Sequence, residues 1–251
     1  MNATFENSRF VITGASGGVG SALARRLKRQ GAEPILIGRS ADRLAPLAAE
    51  IGAPFHVVDV SQPGQFDAVV GLFEEVNGIV NCAGSVILKP AHLTSDAEWA
   101  DILAANLTSA FHVVRVGARL MTRTGGSIVL CASAAARLGL TSHEAIAAAK
   151  GGVIGLTLSA AATYARRNIR VNCVAPGLIE SDLSKSETTT PVMPRITANE
   201  EALRASLALH GLGRVGTPDQ VASAIEWLLN PENDCVTGQV IGVDGGLASV
   251  R

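Results

Sequence analysis

Short, almost uniformly apolar runs rich in β-branched residues alternate along this chain with longer segments whose apolar residues recur at helical spacing. The runs predict seven strands, at Phe10–Thr13, Pro34–Gly38, Phe55–Val60, Gly78–Asn81, Ser127–Cys131, Ile169–Val174 and Gln239–Val243. A strand apolar on both faces is one covered on both faces, and strands alternating with helices build a parallel sheet between two helical layers. The expected class is therefore α/β, a doubly wound seven-stranded parallel sheet with helices on both faces.

The intervening segments carry their own punctuation. Val19, Ala22, Leu23 and Leu27 mark one face of a helix whose other face is Arg25, Arg26, Lys28 and Arg29, and Gly31 ends it. Ser95-Asp96-Ala97-Glu98 reads as a capping box that opens a long helix through Trp99, Ile102, Leu103 and onward. From Ser184 to Asn199 periodicity is lost amid prolines and hydroxyls, and a loop that long is usually functional or disordered. A substrate lid is expected at about 182–210, where Met193, Ile196, Leu203 and Leu207 among polar residues suggest a mixed pocket.

With 251 residues, 47% of them apolar, one domain spanning 1–251 can bury a sizeable core, and no second domain is required. Lys plus Arg at 21 against Asp plus Glu at 22 leaves a net charge of −1. No overall field draws the protein to nucleic acid or to an anionic membrane, so a small-molecule partner is favoured. The opening MNATFENSRFVITG has no basic region followed by an apolar one, and the expectation is a cytoplasmic protein. The apolar stretch Gly151 to Ala165 is shorter than a bilayer span and is expected as a buried helix. Cys82, Cys131, Cys173 and Cys235 form no C-x-x-C pair; reduced thiols are expected, and no metal site.

The first strand runs directly into Thr13-Gly14-Ala15-Ser16-Gly17-Gly18-Val19-Gly20 and then into a helix. Glycines let such a turn form and let backbone N–H groups approach a pyrophosphate at the positive end of the helix. Gly14, Ser16, Gly18, Val19 and Gly20 are thus the predicted phosphate cradle of a Rossmann-type dinucleotide site. The spacing is G-x-x-x-G-x-G, and a glycine-rich turn alone is a weak signal.

Thr13, Gly14, Gly18 and Gly20 match the T-G-x-x-x-G-x-G signature of the short-chain dehydrogenases/reductases, and the resemblance continues in order from about residue 9 to 248. Asp59-Val60 stands where relatives contact adenine. Asn81-Cys82-Ala83-Gly84 resembles their N-N-A-G turn, with cysteine for the second asparagine. Pro176-Gly177-Leu178-Ile179-Glu180-Ser181 is similar to the segment that flanks nicotinamide. The resemblance implies cofactor contacts from Asp59, Val60, Asn81, Ala83, Gly84, Pro176, Gly177, Ile179 and Ser181. It also implies a homodimer or homotetramer joined through two long helices, with small residues over Ala145–Ala162 allowing close packing.

About twenty residues past the glycine turn, an acid would normally hold the adenine ribose of NAD. Here the second strand ends in Gly38-Arg39-Ser40. Nothing there repels a 2′-phosphate, and a guanidinium offers it a planar fork of donors. NADP(H) is therefore preferred over NAD, with Arg39 as the main contact and Ser40 and Arg43 as helpers.

Moving hydride between nicotinamide and a carbonyl requires a group that gives or takes the proton on oxygen. Relatives use Asn, Ser, Tyr and Lys. Asn106, Ser133 and Lys150 match three of them, and Lys150 is also implied to hold the nicotinamide ribose. The tyrosine position is Ile146, thirteen residues after Ser133 and four before Lys150. Isoleucine has no proton to exchange. His143, three residues before Ile146 and seven before Lys150, would share their face of a helix, and imidazole titrates near neutrality. It is either a replacement proton carrier or an exposed first-turn residue; a water held by Ser133 and Lys150 is another route. The implied function is an NADP(H)-dependent oxidoreductase on a carbonyl or secondary alcohol. The alternative is a weak or silent dinucleotide-binding sensor or partner subunit.

Overall fold

The computed structural model describes residues 5–73, 75–180 and 200–250. Seven strands form one sheet: β1 (Arg9–Thr13), β2 (Glu33–Gly38), β3 (Phe55–Val57), β4 (Gly78–Asn81), β5 (Gly126–Cys131), β6 (Ile169–Pro176) and β7 (Val240–Val243). Their order is β3-β2-β1-β4-β5-β6-β7 and every pairing is parallel. This is the Rossmann-type arrangement expected.

Strand residues point alternately to the two faces, and the core divides accordingly. Val11, Ile35, Ile37, Ile79, Ile128 and Leu130 lie in one apolar cluster, while Phe10, Ile12, Leu36, Val80 and Val129 lie in the other. The first is covered by α3 (Gln65–Val70), α5 (Ser109–Leu120) and α6 (Glu144–Tyr164). The second is covered by α1 (Gly18–Arg29), α2 (Ala41–Ile51) and, after α7 (Glu200–Leu209), by α8 (Pro218–Leu229). Each buried large aliphatic side chain is worth about 1.5–3 kcal/mol against exposure, so both faces must be covered for strands this apolar to be stable.

Several boundaries differ from expectation, for local reasons. β3 stops at Val57, not Val60, because its only partner, β2, ends at Gly38; the Gly38 carbonyl takes the Val58 N–H at 2.8 Å and the chain of β2 then turns into α2. β6 runs two residues further, to Pro176, because β7 continues beside it as far as Val243. The capping box at Ser95 is present, with Glu98 N–H on the Ser95 hydroxyl and the Glu98 carboxylate on Ser95 N–H. The helix it opens, α4 (Asp96–Leu103), is interrupted by a π turn over Ala104–Thr108 before α5 begins. Helix α6 is longer than the apolar stretch that suggested it; with its following turn it spans 24 residues, Glu144–Arg167, and is long and apolar enough to cross a bilayer. Its buried face, including Ala149, Val153, Thr157 and Ala160, is spent on the sheet and on neighbouring helices.

Candidate functional site

At the C-terminal end of β1, neighbouring strands lead away to opposite sides, to β2 and to β4. A crevice opens at such a switch point. The glycine turn stands over it. Gly14 has φ +65°, and a Cβ there would lie 2.6 Å from the Cys82 carbonyl and from Ala83 N. A Cβ on Gly20 would run into the Gly14 carbonyl, and one on Gly18 would press on Pro218 of α8 at 3.2 Å. Gly14 and Gly20 can approach the backbone this closely only because they carry no side chain. Helix α1 starts beyond Gly17 with no side-chain cap and no acid in its first turn, so the positive end of its dipole is uncompensated among the described residues.

Arg39 is exposed at the end of β2 and makes no hydrogen bond or ion pair among the described residues. Ser40 caps α2 through its backbone alone. Arg43 reaches from α2 to the Ser16 carbonyl at 3.4 Å, which ties the first turn of α2 to the glycine turn. Asp59 accepts the Ser61 N–H and hydroxyl at 2.9 and 2.7 Å, and the buried Val60 gives its carbonyl to His112 Nδ1 at 2.7 Å. Asn81 is buried; its side chain accepts the Thr13 hydroxyl at 2.6 Å and donates to Ser109 at 3.3 Å, tying β1, β4 and α5 together beneath the crevice.

The π turn places Asn106. Its Nδ2 donates to the Ser85 and Ile102 carbonyls at 2.9 and 3.0 Å, while Oδ1 is the one buried side-chain polar atom without a partner among the described residues. Lys150, 8% exposed, donates from Nζ to the Cys131 carbonyl at 2.7 Å. Burial pushes its pKa below the ordinary lysine value, partly offset by the nearby cysteine sulfurs. Asn106 and Lys150 meet over Gly84: a Cβ there would be 2.7 Å from Oδ1 and 3.5 Å from Nζ. Ser133, just past β5, accepts the Ala135 N–H on its hydroxyl oxygen at 3.2 Å, which leaves its own proton to donate.

One expectation is corrected at α6. His143 is not a residue of the helix that carries Ile146 and Lys150: the helix begins at Glu144 and His143 is its cap, with φ −110° and ψ 12°. Ser142 just before it takes φ +62°, so the chain is still turning there. The His143 ring is oriented by Nδ1, 2.7 Å from the Thr141 carbonyl; a nitrogen facing a carbonyl carries the proton, which leaves Nε2 as the exchangeable position. Ile146 is only 5% exposed, packed with Ile102, Ala145 and Ala149 against Ile87, Leu103 and Leu107.

The segment after β6 is held on its far side. Gly177 N–H bonds the Val243 carbonyl, and a Cβ on Gly177 would meet Asp244 at 2.9 Å. Ile179 bridges Gly216, and Glu180 N–H bonds the Gly216 carbonyl at 2.9 Å. The sequence reading missed His210, a buried side chain whose Nε2 accepts the Leu178 N–H at 3.3 Å; nothing in linear spacing marks it. Ser181 and most of the expected lid, including Met193 and Ile196, lie outside the described residues. Leu203 and Leu207 fall on α7.

The model of the family described as enoyl-(acyl carrier protein) reductase matches residues 14–248. The chain is 37% identical over 250 residues to nodulation protein G of a Rhizobium species, covering 96% of each chain. It is 34% identical over 244 residues to a 3-oxoacyl-(acyl-carrier-protein) reductase of Vibrio cholerae, covering 94% of this chain and 96% of that one. A short-chain type dehydrogenase/reductase from Mycobacterium ulcerans superposes with a TM-score of 0.90 at 28% identity, over 97% of this chain and 90% of the other. The protein belongs to the short-chain dehydrogenase/reductase family, a family of oxidoreductases.

Proposed function

We propose that the protein is an NADP(H)-dependent oxidoreductase acting on a carbonyl or secondary alcohol. The observation that carries this reading is the convergence of Asn106 Oδ1 and Lys150 Nζ over Gly84, a buried acceptor and a buried cation at the edge of the crevice. A site that leaves a buried acceptor without a protein partner is built for a ligand or a water. The crevice also fits a dinucleotide: its glycine turn leaves no room for a Cβ at Gly14 or Gly20, and the start of α1 has no side-chain cap.

In this reading Gly14, Ser16, Gly18, Val19 and Gly20 seat the pyrophosphate. Arg39, helped by Ser40 and Arg43, takes the 2′-phosphate that distinguishes NADP from NAD. Asp59 and Val60 border adenine, while Asn81, Ala83, Gly84, Pro176, Gly177, Ile179 and Ser181 surround the nicotinamide half. The bound nicotinamide supplies or receives the hydride. Ser133 hydrogen-bonds the substrate oxygen through its free hydroxyl proton, and the Lys150 ammonium lowers the cost of charge developing nearby. Asn106 Oδ1 holds a water. Because Ile146 cannot exchange a proton, His143 Nε2 or a water between Ser133 and Lys150 does so. The protein is read as a cytoplasmic homo-oligomer with a small-molecule substrate, and residues 182–210 as its lid.

The burial of Ile146 in an apolar cluster favours a second reading, in which the protein binds the dinucleotide but turns over weakly or not at all, as a sensor or partner subunit. One experiment separates them. Calorimetry with NADPH and NADH measures binding, and the absorbance of reduced nicotinamide then reports turnover of a carbonyl panel. The V. cholerae relative's name specifies a 3-oxoacyl group, so 3-oxoacyl thioesters enter that panel first. Binding with turnover that His143→Ala lowers by about 10²–10⁴ supports the full reading. Binding without turnover supports the second, and no heat with either coenzyme removes both.

A further inference from the structure

Beneath the crevice lies a pair of thiols that the reaction above does not use. β4 and β5 run in register from Gly78 beside Ser127 to Asn81 beside Leu130, so the next residues, Cys82 and Cys131, stand opposite one another. Their Sγ atoms are 3.9 Å apart. Adjacent strands lie about 4.8 Å apart, within the roughly 4.4–6.8 Å between Cα atoms that a disulfide requires. Cys82 and Cys131 are half-buried residues with their sulfurs turned inward toward each other, and the buried Cys173 has its thiol pushed up to about 11, chiefly by burial.

The two sulfurs are chemically unequal. Cys131 is held below the ordinary thiol value because the Cys82 S–H stabilises its thiolate, with the Lys150 ammonium adding to the effect. The same contact, together with burial, raises Cys82. Two sulfurs this close, one of which ionises more readily than the other, form an arrangement in which an oxidised sulfur finds its resolving partner already in place.

We infer that Cys82 and Cys131 are a modification site: hydrogen peroxide converts them to a reversible disulfide, and that bond loosens the seat of the nucleotide. In the first step the Cys131 sulfur attacks one peroxide oxygen, the O–O bond breaks, and a sulfenic acid forms as hydroxide leaves and is protonated to water. In the second the Cys82 sulfur attacks the sulfenic sulfur; the S–S bond forms, the S–O bond breaks, and the departing oxygen takes the Cys82 proton as a second water. Two thiols and one peroxide give one disulfide and two waters, with two electrons passing from sulfur to oxygen.

Drawing the sulfurs from 3.9 Å to a bond of about 2.05 Å pulls on both strand ends. Cys82 donates its N–H to the Thr13 carbonyl at 3.1 Å, and its own carbonyl is packed against Gly14 of the glycine turn. The Cys131 carbonyl anchors Lys150 Nζ. The pull therefore reaches both the turn and the lysine. This consequence rests on the nucleotide reading above; formation of the bond does not.

The test is mass spectrometry of the whole protein after peroxide and alkylation without reductant. The expected result is loss of two hydrogens and a linked pair of peptides holding Cys82 and Cys131, reversed by dithiothreitol. The link persists in Cys235→Ser and is absent from Cys82→Ser and Cys131→Ser. If both cysteines stay alkylatable while the exposed Cys235 oxidises, or if Cys131 goes to sulfinic acid unlinked, the site is overturned. Calorimetry on the linked protein should show NADPH binding weakened by about tenfold, the worth of roughly one hydrogen bond, and restored by dithiothreitol. Equal affinity in both states overturns the loosening. A reduced protein that binds no NADPH overturns the loosening together with the nucleotide reading, while the mass measurement still decides the bond.

Discussion

Gly84 leaves room for Asn106: a Cβ on the glycine would stand 2.7 Å from Asn106 Oδ1, closer than carbon and oxygen approach without a shift. The asparagine cannot easily give way, since its Nδ2 is committed to the Ser85 and Ile102 carbonyls in the π turn. Gly84→Ala should therefore displace the side-chain carbonyl that the proposed water needs. The expected outcome is a fall in kcat/KM of about 10- to 100-fold, with a stability cost of about 1–3 kcal/mol from overpacking. Because Asn106→Ala removes the same acceptor, the double variant should lose little more than either single one. Steady-state kinetics of the four proteins check this, and full additivity would separate Gly84 from Asn106.

Arg39 has no partner among the described residues, so removing it costs the fold little. Surface substitutions of this kind usually change stability by less than about 0.5 kcal/mol. Its value lies in what it offers a 2′-phosphate, where a charge-assisted hydrogen bond is worth about 1.5–3 kcal/mol. Arg39→Ala should weaken NADPH by roughly 10- to 100-fold and leave NADH nearly unchanged, with Tm constant. Calorimetry with both coenzymes decides it, and an equal loss for the two would remove the phosphate from the argument.

Ile146→Tyr should move activity and stability in opposite directions. A phenol restores an exchangeable proton four residues before Lys150, and acid–base assistance is worth about 10²–10⁴ in rate. The ring, however, must enter a cluster that already holds Ile102, Ala145, Ala149, Ile87, Leu103 and Leu107, so Tm should fall. Ile146→Phe is the control, with the same loss of Tm and no gain in rate. A tyrosine variant no faster than the phenylalanine one would show that Ser133 and Lys150 are not poised to use the phenol.

The strands were legible because each is apolar on both faces, and Phe10, Val11 and Ile12 show why, their side chains passing alternately into the two clusters. The end of β3 was not, because it is set by where β2 stops, a property of the partner and not of Val58 to Val60. Spacing along the chain singled out Asn106, Ser133 and Lys150, of which the fold brings Asn106 and Lys150 together over Gly84. It misjudged His143, since helical periodicity does not reveal that Ser142 is still turning with φ +62°. The approach of Cys82 to Cys131, 49 residues apart, is created by strand order alone. His210 was missed for the same reason, its partner Leu178 lying 32 residues away.

Glu98 gives the acid limb of stability a specific source. Its carboxylate is lowered to about 2 by Lys89, whose Nζ lies 2.8 and 2.9 Å from its two oxygens, and by the Ser95 N–H and hydroxyl. A depressed folded-state pKa means that this stabilisation is complete above the unfolded value of 4.5 and is lost as pH falls from there toward about 2. Glu98→Gln should flatten stability against pH within that window and leave the profile above it parallel to wild type. Urea titrations between pH 2 and 6 read the slope, and an unchanged slope would exclude the Lys89–Glu98 pair as its source.

Arg170 is the most committed buried cation on the α8 side of the sheet. From β6 it sends Nη1 to the Leu228 and Val236 carbonyls at 2.7 and 3.3 Å, and Nη2 to those of Leu229 and Asn230 at 3.3 Å each. The last carbonyls of a helix have no partner within it, and here one planar fork satisfies those at the end of α8 and binds the helix to the sheet. Burial lowers the arginine pKa, but a guanidinium stays charged in proteins, and that charge favours the negative helix end. Arg170→Leu keeps the apolar stem and takes the guanidinium from the Leu229 and Asn230 carbonyls, at about 1–3 kcal/mol for each left dry, while the Leu228 and Val236 carbonyls keep Ser127 and Asn172 as donors. A net loss of about 3 kcal/mol corresponds to roughly 6–12 °C in Tm for a chain of this size. Arg170→Lys, with one nitrogen in place of a fork, should recover less than half of that. Since α8 also presses Pro218 against Gly18 in the glycine turn, NADPH affinity measured below Tm should fall in the leucine variant as well. A variant that melts early yet binds at wild-type strength would show that the anchor holds the helix end without positioning the turn.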